Sequence, residues 1–359
     1  MNVLETHNQM DNVMIGSYAN NDADAPDLFR CTLDPLTGAL VIAESLTGLA
    51  MPSSFFIHPN WRYLYVAAGI LGGSITAYRL EADGSLVEFD RQSSQGDLPC
   101  CLSMNSDGTA LFVTNYRSGN VALLPIRDNG ALGEACDVSF HKGSGPVPGR
   151  QEQPHPHSVM LHPTGPYGVV ADLGIDRLIV YEAGQGQNSL NKISDVPLRP
   201  GMGPRHLMFH PRLPVLYAVG ELDNTVSVLK CGADDIYYQE IQYVSTLPSG
   251  YIGVNYSADI HISPSGKNLY SSNRGHDSIV VFRIDPVQGT LSEPRHFSSG
   301  GMTPIAFSFT PDGRFLLVAN KDSDSVVTFE VDANSGDLHL VSKLLGIAKP
   351  SCLHVIGGR

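Results

Sequence analysis

The sequence predicts an all-β protein: a seven-bladed β-propeller built from four-stranded antiparallel blades. Three observations predict it. A strand, turn, strand unit recurs along the chain at spacings of 47, 57, 48, 53 and 47 residues, measured between Pro59, Ser106, Pro163, Pro211, Pro264 and Pro311. A repeat of roughly 40–50 residues holding about four short strands marks a propeller blade. The 36 glycines and 24 prolines are scattered rather than clustered, as short strands joined by tight turns require. No stretch keeps a helical apolar period over a useful length.

Taken in order, the first unit reads as Pro52–Pro59, Tyr63–Ala68 and Gly73–Leu80. The second has Leu102–Gly108, Leu111–Asn115 and Gly119–Leu124. The third opens on Pro154-His155-Pro156-His157-Ser158, runs through Val159–Leu161 to a Pro/Gly turn, returns through Val169–Asp172 and ends with Asp176–Tyr181. Strand, turn, strand places His157 and Asp172 at one end of a hairpin. The fourth holds Arg205–Pro211, Leu216–Val219 and Asn224–Leu229. The fifth holds Asp259–Pro264, Leu269–Asn273 and Asp277–Phe282, and the sixth holds Phe307–Gly313, Phe315–Asn320 and Asp324–Phe329. Each unit carries a variable fourth strand, such as Leu338–Val341.

The seventh unit is split. Ser351–Ile356 reads as a lone inner strand, and Asn12–Ser17 with Leu28–Leu33 reads as the strands beside it. The two chain ends thus close the ring in one shared blade, leaving no long free edge to aggregate. One domain over residues 1–359 is expected. The units lack the Gly-His and Trp-Asp pairs of WD40 repeats, and Trp61 is the only tryptophan. The 57-residue spacing marks an insertion over about Asp137–Pro154, a loop by composition, which either lies beside the His-Pro-His element as a lip or is a tolerated surface insertion.

The bulk composition narrows the function. Of 359 residues, 42% are apolar and 16% charged, with a net charge of −13. An acidic chain is a poor general binder of nucleic acid. No run nears the roughly 18 apolar residues of a membrane span, and Met1–His7 lacks the basic start and apolar core of a secretory leader. A soluble cytoplasmic protein, monomeric or weakly homo-oligomeric, is expected. Cys31, Cys100, Cys101, Cys136, Cys231 and Cys352 contain no C-x-x-C pair, so they read as small buried thiols in a reducing compartment. Cys100 and Cys101 should point to opposite faces of their strand. Nothing signals a nucleotide or organic cofactor.

Propeller geometry sorts the polar residues. The start of each inner strand and the end of the next strand meet at one mouth of the central channel, while the Pro/Gly turns lie at the other. His155, His157, Arg205 and His206 sit at strand starts. Asn115, Tyr116, Asp172, Glu221, Asn273, Arg274, Asn320 and Lys321 sit at strand ends. All twelve are expected at one mouth. His58, His162 and His210 fall at the opposite turns and read as structural. Arginines and acids near a channel must be hydrated, paired or used. They form a ring of ion pairs between Glu221 and Arg205 or Arg274, or they hold an anionic ligand by forked hydrogen bonds.

At these residues the chain resembles the lactonase family of seven-bladed propellers, which includes 6-phosphogluconolactonases of the cycloisomerase-2 type and 3-carboxy-cis,cis-muconate lactonizing enzymes. The matching motifs are Pro154-His155-Pro156-His157-Ser158, Asp172-Leu173-Gly174-Ile175-Asp176, Gly203-Pro204-Arg205-His206, Glu221-Leu222 and Tyr270-Ser271-Ser272-Asn273-Arg274-Gly275. The fourth unit departs from the commoner pattern, with Val219-Gly220-Glu221 where Asn-Glu is usual and a turn, Pro211–Pro214, without glycine.

The resemblance implies hydrolysis of a small anionic sugar lactone, with His157, Arg205, Glu221 and Arg274 as catalytic residues. His155, His206, Asp172, Asn115, Tyr116, Asn273, Asn320 and Lys321 are expected around the substrate. No nucleophile-elbow motif G-x-S-x-G is present, so direct attack by water is expected, with His157 as general base. Three alternatives stay open: lactonization of a carboxymuconate by the same four residues, zinc held by His155 and His157 with His206 or Asp172, and a non-catalytic scaffold that binds a protein partner.

Overall fold

The computed structural model describes residues 11–18, 25–183, 186, 188–232 and 236–356. Met1–His7, read above as no leader, lie outside them. The described residues form seven four-stranded antiparallel sheets arranged as blades. Numbered as their units are above, the blades open on inner strands at Pro52–Ile57, Pro99–Met104, Pro156–Leu161, Pro204–Phe209, Tyr256–Ile262 and Pro304–Phe309. The closing blade takes its inner strand from Pro350–Ile356. It pairs with Asp11–Ser17, followed by Leu28–Leu33 and Leu40–Leu46, so the chain ends share one blade as expected.

Burial follows position in the blade. Phe315–Asn320 and Val215–Gly220 are second strands, covered on both faces by neighbouring blades, and every residue in them is buried. Outer strands alternate, as in Tyr238–Ser245, with one face toward solvent. The apolar clusters lie between adjacent blades. Leu216, Ala218 and Leu229 of the fourth blade, for example, pack with Val169, Ala171 and Val180 of the third. Three buried tyrosines staple blade to blade: Tyr65, Tyr217 and Tyr270 donate to the carbonyls of Gly130, Gly289 and Gly336 at 2.7–2.8 Å. At the turns away from the mouth, the His58 and His210 rings reach the carbonyls of Gly108 and Gly266 in the next blade. The His162 ring accepts from the Gly165 amide and packs edge-on to Phe209.

One boundary shifts. Asp137–Phe140, assigned above to the insertion, is the outer strand of the second blade and pairs with Asn120–Leu123. Val138 opposite Ala122 and Ser139 opposite Val121 complete a sheet that would otherwise end at three strands. The inserted loop is therefore 141–155.

A repeated irregularity shapes the mouth. Six inner strands open on a proline, and in the register of the fifth blade Ser257 takes that place. Directly after that residue the pairing slips, leaving unpaired residues in a bulge, which turns a side chain away from the regular alternation. The bulge residues are Ser53, Cys100, His157, Arg205, Ala258 with Asp259, Ile305 and Ser351. Opposite the openings stand Ala68, Asn115, Asp172, Gly220, Asn273, Asn320 and Ser17. Each is followed by one further residue: Gly69, Tyr116, Leu173, Glu221, Arg274, Lys321 and Tyr18.

Candidate active site

Most of the bulge residues and several of the residues that follow the second strands line a central cavity of about 430 Å³. Its walls include Tyr18, Tyr116, Arg150, His157, Arg205, His206, Glu221, Asp259, His261 and Arg274. The centre of the arrangement is Glu221, 4% exposed. Oε2 lies 2.6 Å from Arg274 Nη2 and 3.1 Å from Arg205 Nε, and Oε1 meets Arg150 Nη2. Burial alone would raise the Glu221 pKa. The guanidiniums of Arg274, Arg205 and Arg150 win and hold it down to about 2.

Arg205 is fixed from three sides. Nη1 donates to the Ala258 carbonyl at 2.6 Å and lies 3.2 Å from His206 Nε2. A guanidinium only donates, so His206 Nε2 accepts and its proton sits on Nδ1. That Nδ1 donates to Asp259 Oδ1 at 2.7 Å. Asp259 also accepts from His261 Nε2 at 3.3 Å and from the Phe307 amide at 3.0 Å. Burial opposes the Asp259 charge, but His261 and His206 keep the carboxyl well below its ordinary range. Burial and Arg205 lower the His206 pKa.

His157 stands between these groups. Its ring meets Tyr116 edge-on at 5.4 Å and His206 at 5.3 Å. Burial, then Arg205, His206 and Arg274, hold its pKa well below the usual imidazole value. Its Nδ1 has no hydrogen-bond partner among the described residues. The site therefore presents a neutral, unclaimed imidazole beside a fixed guanidinium. Three guanidiniums against the carboxylates of Glu221 and Asp259 leave an excess of positive charge, in a chain of net charge −13. Such a cavity draws small anions.

Of the residues singled out in the sequence, His157, Arg205, Glu221, Arg274, Tyr116 and His206 line one cavity. His155 stands behind it, stacked on Tyr116 at 4.4 Å with Nδ1 against the Tyr116 carbonyl at 2.8 Å. Lys321 is not among the lining residues, and its Nζ lies 5.9 Å from the ring centroid of Tyr18, which is. Asn115, Asp172, Asn273 and Asn320 are not cavity residues. Each is fully buried and clamps the connection that crosses from the preceding blade. The three asparagines donate Nδ2 to the carbonyls of Ser94, Thr246 and Ser299 at 2.8–2.9 Å. Asp172 accepts from His141 Nδ1, the His155 amide and the Gly174 amide at 2.6, 2.7 and 3.0 Å. The reason is alternation. A residue paired with the strand opening points away from the channel, and its successor points in. At the same place in the fourth blade, Gly220 leaves room for Met202, whose Cγ would lie 2.7 Å from an added Cβ. That accounts for glycine where asparagine is usual.

The zinc set considered above does not assemble. His155 is turned to the Tyr116 carbonyl, Asp172 is engaged by His141 and two amides, and among the described residues no group of three or more His, Cys, Asp or Glu side chains is placed to hold a metal ion. The adjacent cysteines do not face opposite ways: Cys100 is a bulge residue, and both thiols border the cavity. Cys136 is exposed rather than buried.

The sequence reading missed Arg150, Asp259 and Tyr18. Tyr18 was recoverable, because it follows Ser17 as Arg274 follows Asn273. Asp259 opens the fifth repeat as a bulge residue. Arg150 had only the flagged loop as its signal.

The arrangement also rests on a backbone close approach. Gly275, just after Arg274, has φ +127, and a Cβ there would lie 2.2 Å from the Val254 carbonyl oxygen. Gly275→Ala is expected to destabilise the protein by about 1–3 kcal/mol and to displace Arg274. Urea denaturation and lactone turnover of the variant measure both effects, and unchanged values would show that the 246–256 loop yields freely.

Comparison with known proteins agrees with this architecture. The family model described as lactonase, 7-bladed beta-propeller, matches residues 12–355. A Bacillus subtilis protein named 6-phosphogluconolactonase is 31% identical over 341 residues, 94% of this chain and 96% of its own. The solved periplasmic gluconolactonase of Pseudomonas aeruginosa superposes with a TM-score of 0.91 at 30% identity, covering 98% of this chain and 100% of that one. A putative 6-phosphogluconolactonase of Bacteroides fragilis superposes at 0.89 with 28% identity, covering 98% and 99%.

Proposed function

The chain belongs to the lactonase family of seven-bladed β-propellers, and we propose that it hydrolyses a sugar lactone, 6-phosphogluconolactone foremost. The observation that carries this reading is the neutral His157 imidazole beside the buried, positively charged cluster on Glu221. The substrate's anionic group enters toward the guanidiniums, and its carbonyl oxygen approaches Arg205, which supports the negative charge that grows there during attack. His157 takes a proton from water as the oxygen adds to the carbonyl carbon. On collapse the bond to the ring oxygen breaks, and the proton returns from His157 to that oxygen. Glu221 holds the arginines apart and aligned. Asp259 orients His206, which packs against the His157 ring.

A thiolate nucleophile is not favoured. Burial pushes Cys100 and Cys352 up to about 12 and Cys101 to about 11, so these thiols stay protonated near neutral pH. No described helix is long and apolar enough to cross a membrane, and all six cysteines are free thiols, which supports a cytoplasmic location.

The test is His157→Ala, expected to lower kcat by about 10²–10⁴. The wild-type pH profile gives a second readout. A general base works unprotonated, and the His157 pKa lies below the usual value. Activity should therefore stay level as pH falls through about 6.5 and drop only at lower pH. Full activity in the alanine variant would remove His157 from the base role.

A further inference from the structure

Resting on the lactonase reading above, we infer that Arg150, delivered by the inserted loop, is the residue that selects a lactone carrying a phosphate at the end remote from its carbonyl. Three features support it. Arg150 is the outermost of the three guanidiniums on Glu221: its side chain is 30% exposed, against 20% for Arg274 and 8% for Arg205. A substrate whose carbonyl lies deep beside His157 and Arg205 presents its far end to Arg150. Glu221 engages Arg150 through Nη2, and the Arg150 guanidinium carbon lies 5.2 Å from the Tyr256 ring centroid. A guanidinium carries five N–H donors, so this fixed fork keeps donors for an incoming phosphate.

The loop is built to hold it. Next to Arg150, Gln151 is fully buried, and its Nε2 donates to the Leu173 carbonyl at 2.7 Å and to Asp176 Oδ1 at 2.8 Å. Asp176 in turn accepts from the amides of Gly203 at 2.7 Å and Gly201 at 2.6 Å. Gly203 immediately precedes the inner strand that carries Arg205. One buried carboxylate therefore ties the Arg150 loop to the Arg205 strand and fixes the spacing between the two guanidiniums. Asp172 ties down both ends of the loop through His141 and the His155 amide. A tolerated surface insertion needs none of these anchors. A preorganised one binds its ligand without having to order first.

The experiment compares wild type, Arg150→Ala and Arg150→Lys on 6-phosphoglucono-δ-lactone and on unphosphorylated glucono-δ-lactone. It is paired with calorimetric titration of the two products, 6-phosphogluconate and gluconate. Wild type should prefer the phosphorylated lactone. Arg150→Ala should reduce the ratio of the two kcat/KM values at least about tenfold, chiefly through KM, because a clamp remote from the carbonyl binds ground and transition states alike. It should also lose most of the difference in product affinity, and lysine should restore part of both. A ratio is insensitive to a general loss of folded enzyme. If wild type prefers the phosphorylated lactone and Arg150→Ala keeps that preference, the inference is wrong. A wild type that hydrolyses both lactones equally overturns it while leaving the lactonase reading standing. A wild type that hydrolyses neither overturns the lactonase reading itself.

Discussion

Arg205→Ala is expected to lower kcat/KM for the lactone by about 10²–10³, the usual cost of removing one donor from a developing oxyanion. The effect should fall on kcat, because the interaction strengthens as charge grows on the carbonyl oxygen. Arg205 is 6% exposed and held by the Ala258 carbonyl and Glu221, so in the proposed role it has little left to reorganise. Arg205→Lys should recover little. A single ammonium cannot span Ala258, Glu221 and a substrate oxygen at once. Steady-state kinetics on both variants decide the matter. A loss confined to KM would make Arg205 a binding residue only.

Glu221→Ala is expected to destabilise the protein by about 3–5 kcal/mol, the cost of leaving buried charge without its partner. Here the residues left behind are three guanidiniums, so the effect should exceed that of removing Arg150 alone. The pH dependence follows from the sign of the shift. The folded pKa of Glu221, about 2, lies below its ordinary value of 4.5. Its stabilisation is therefore fully present above about pH 4.5 and is lost as pH falls toward 2. Urea denaturation at neutral pH should separate variant from wild type by the full amount, and the gap should narrow in acid. Equal stability at pH 7 would mean that water or other groups neutralise the arginines unaided.

Blade number and ring closure were legible in the sequence because they rest on apolar period and turn spacing. Leu216–Val219 and Phe315–Ala319 are continuous apolar runs because neighbouring blades cover both of their faces. Ser351–Ile356 had no partner in its own repeat except the N-terminal strand. The site was legible where a residue's place along its strand fixes its direction, as for Glu221 and Arg274 just past their second strands. Asn115, Asn273 and Asn320 lie one residue short of that ring and turn the other way, and a reading at the level of strand ends cannot separate them. His157 and Arg205 owe their aim to a bulge directly after a proline, which a reading of strand ends alone passes over. Arg150 depends on Gln151 of the inserted loop meeting Asp176 of the third blade, a contact between loops that strand periodicity does not encode. The scaffold alternative requires a mouth with no affinity for small anions, whereas the cluster on Glu221 leaves positive charge facing the cavity.

The most direct test of a water-adding site in this channel is the initial rate on freshly generated 6-phosphoglucono-δ-lactone at neutral pH, corrected for spontaneous ring opening. The account predicts rapid hydrolysis that is abolished together with the His157 imidazole. No rate above background on that lactone or its unphosphorylated counterpart would contradict it.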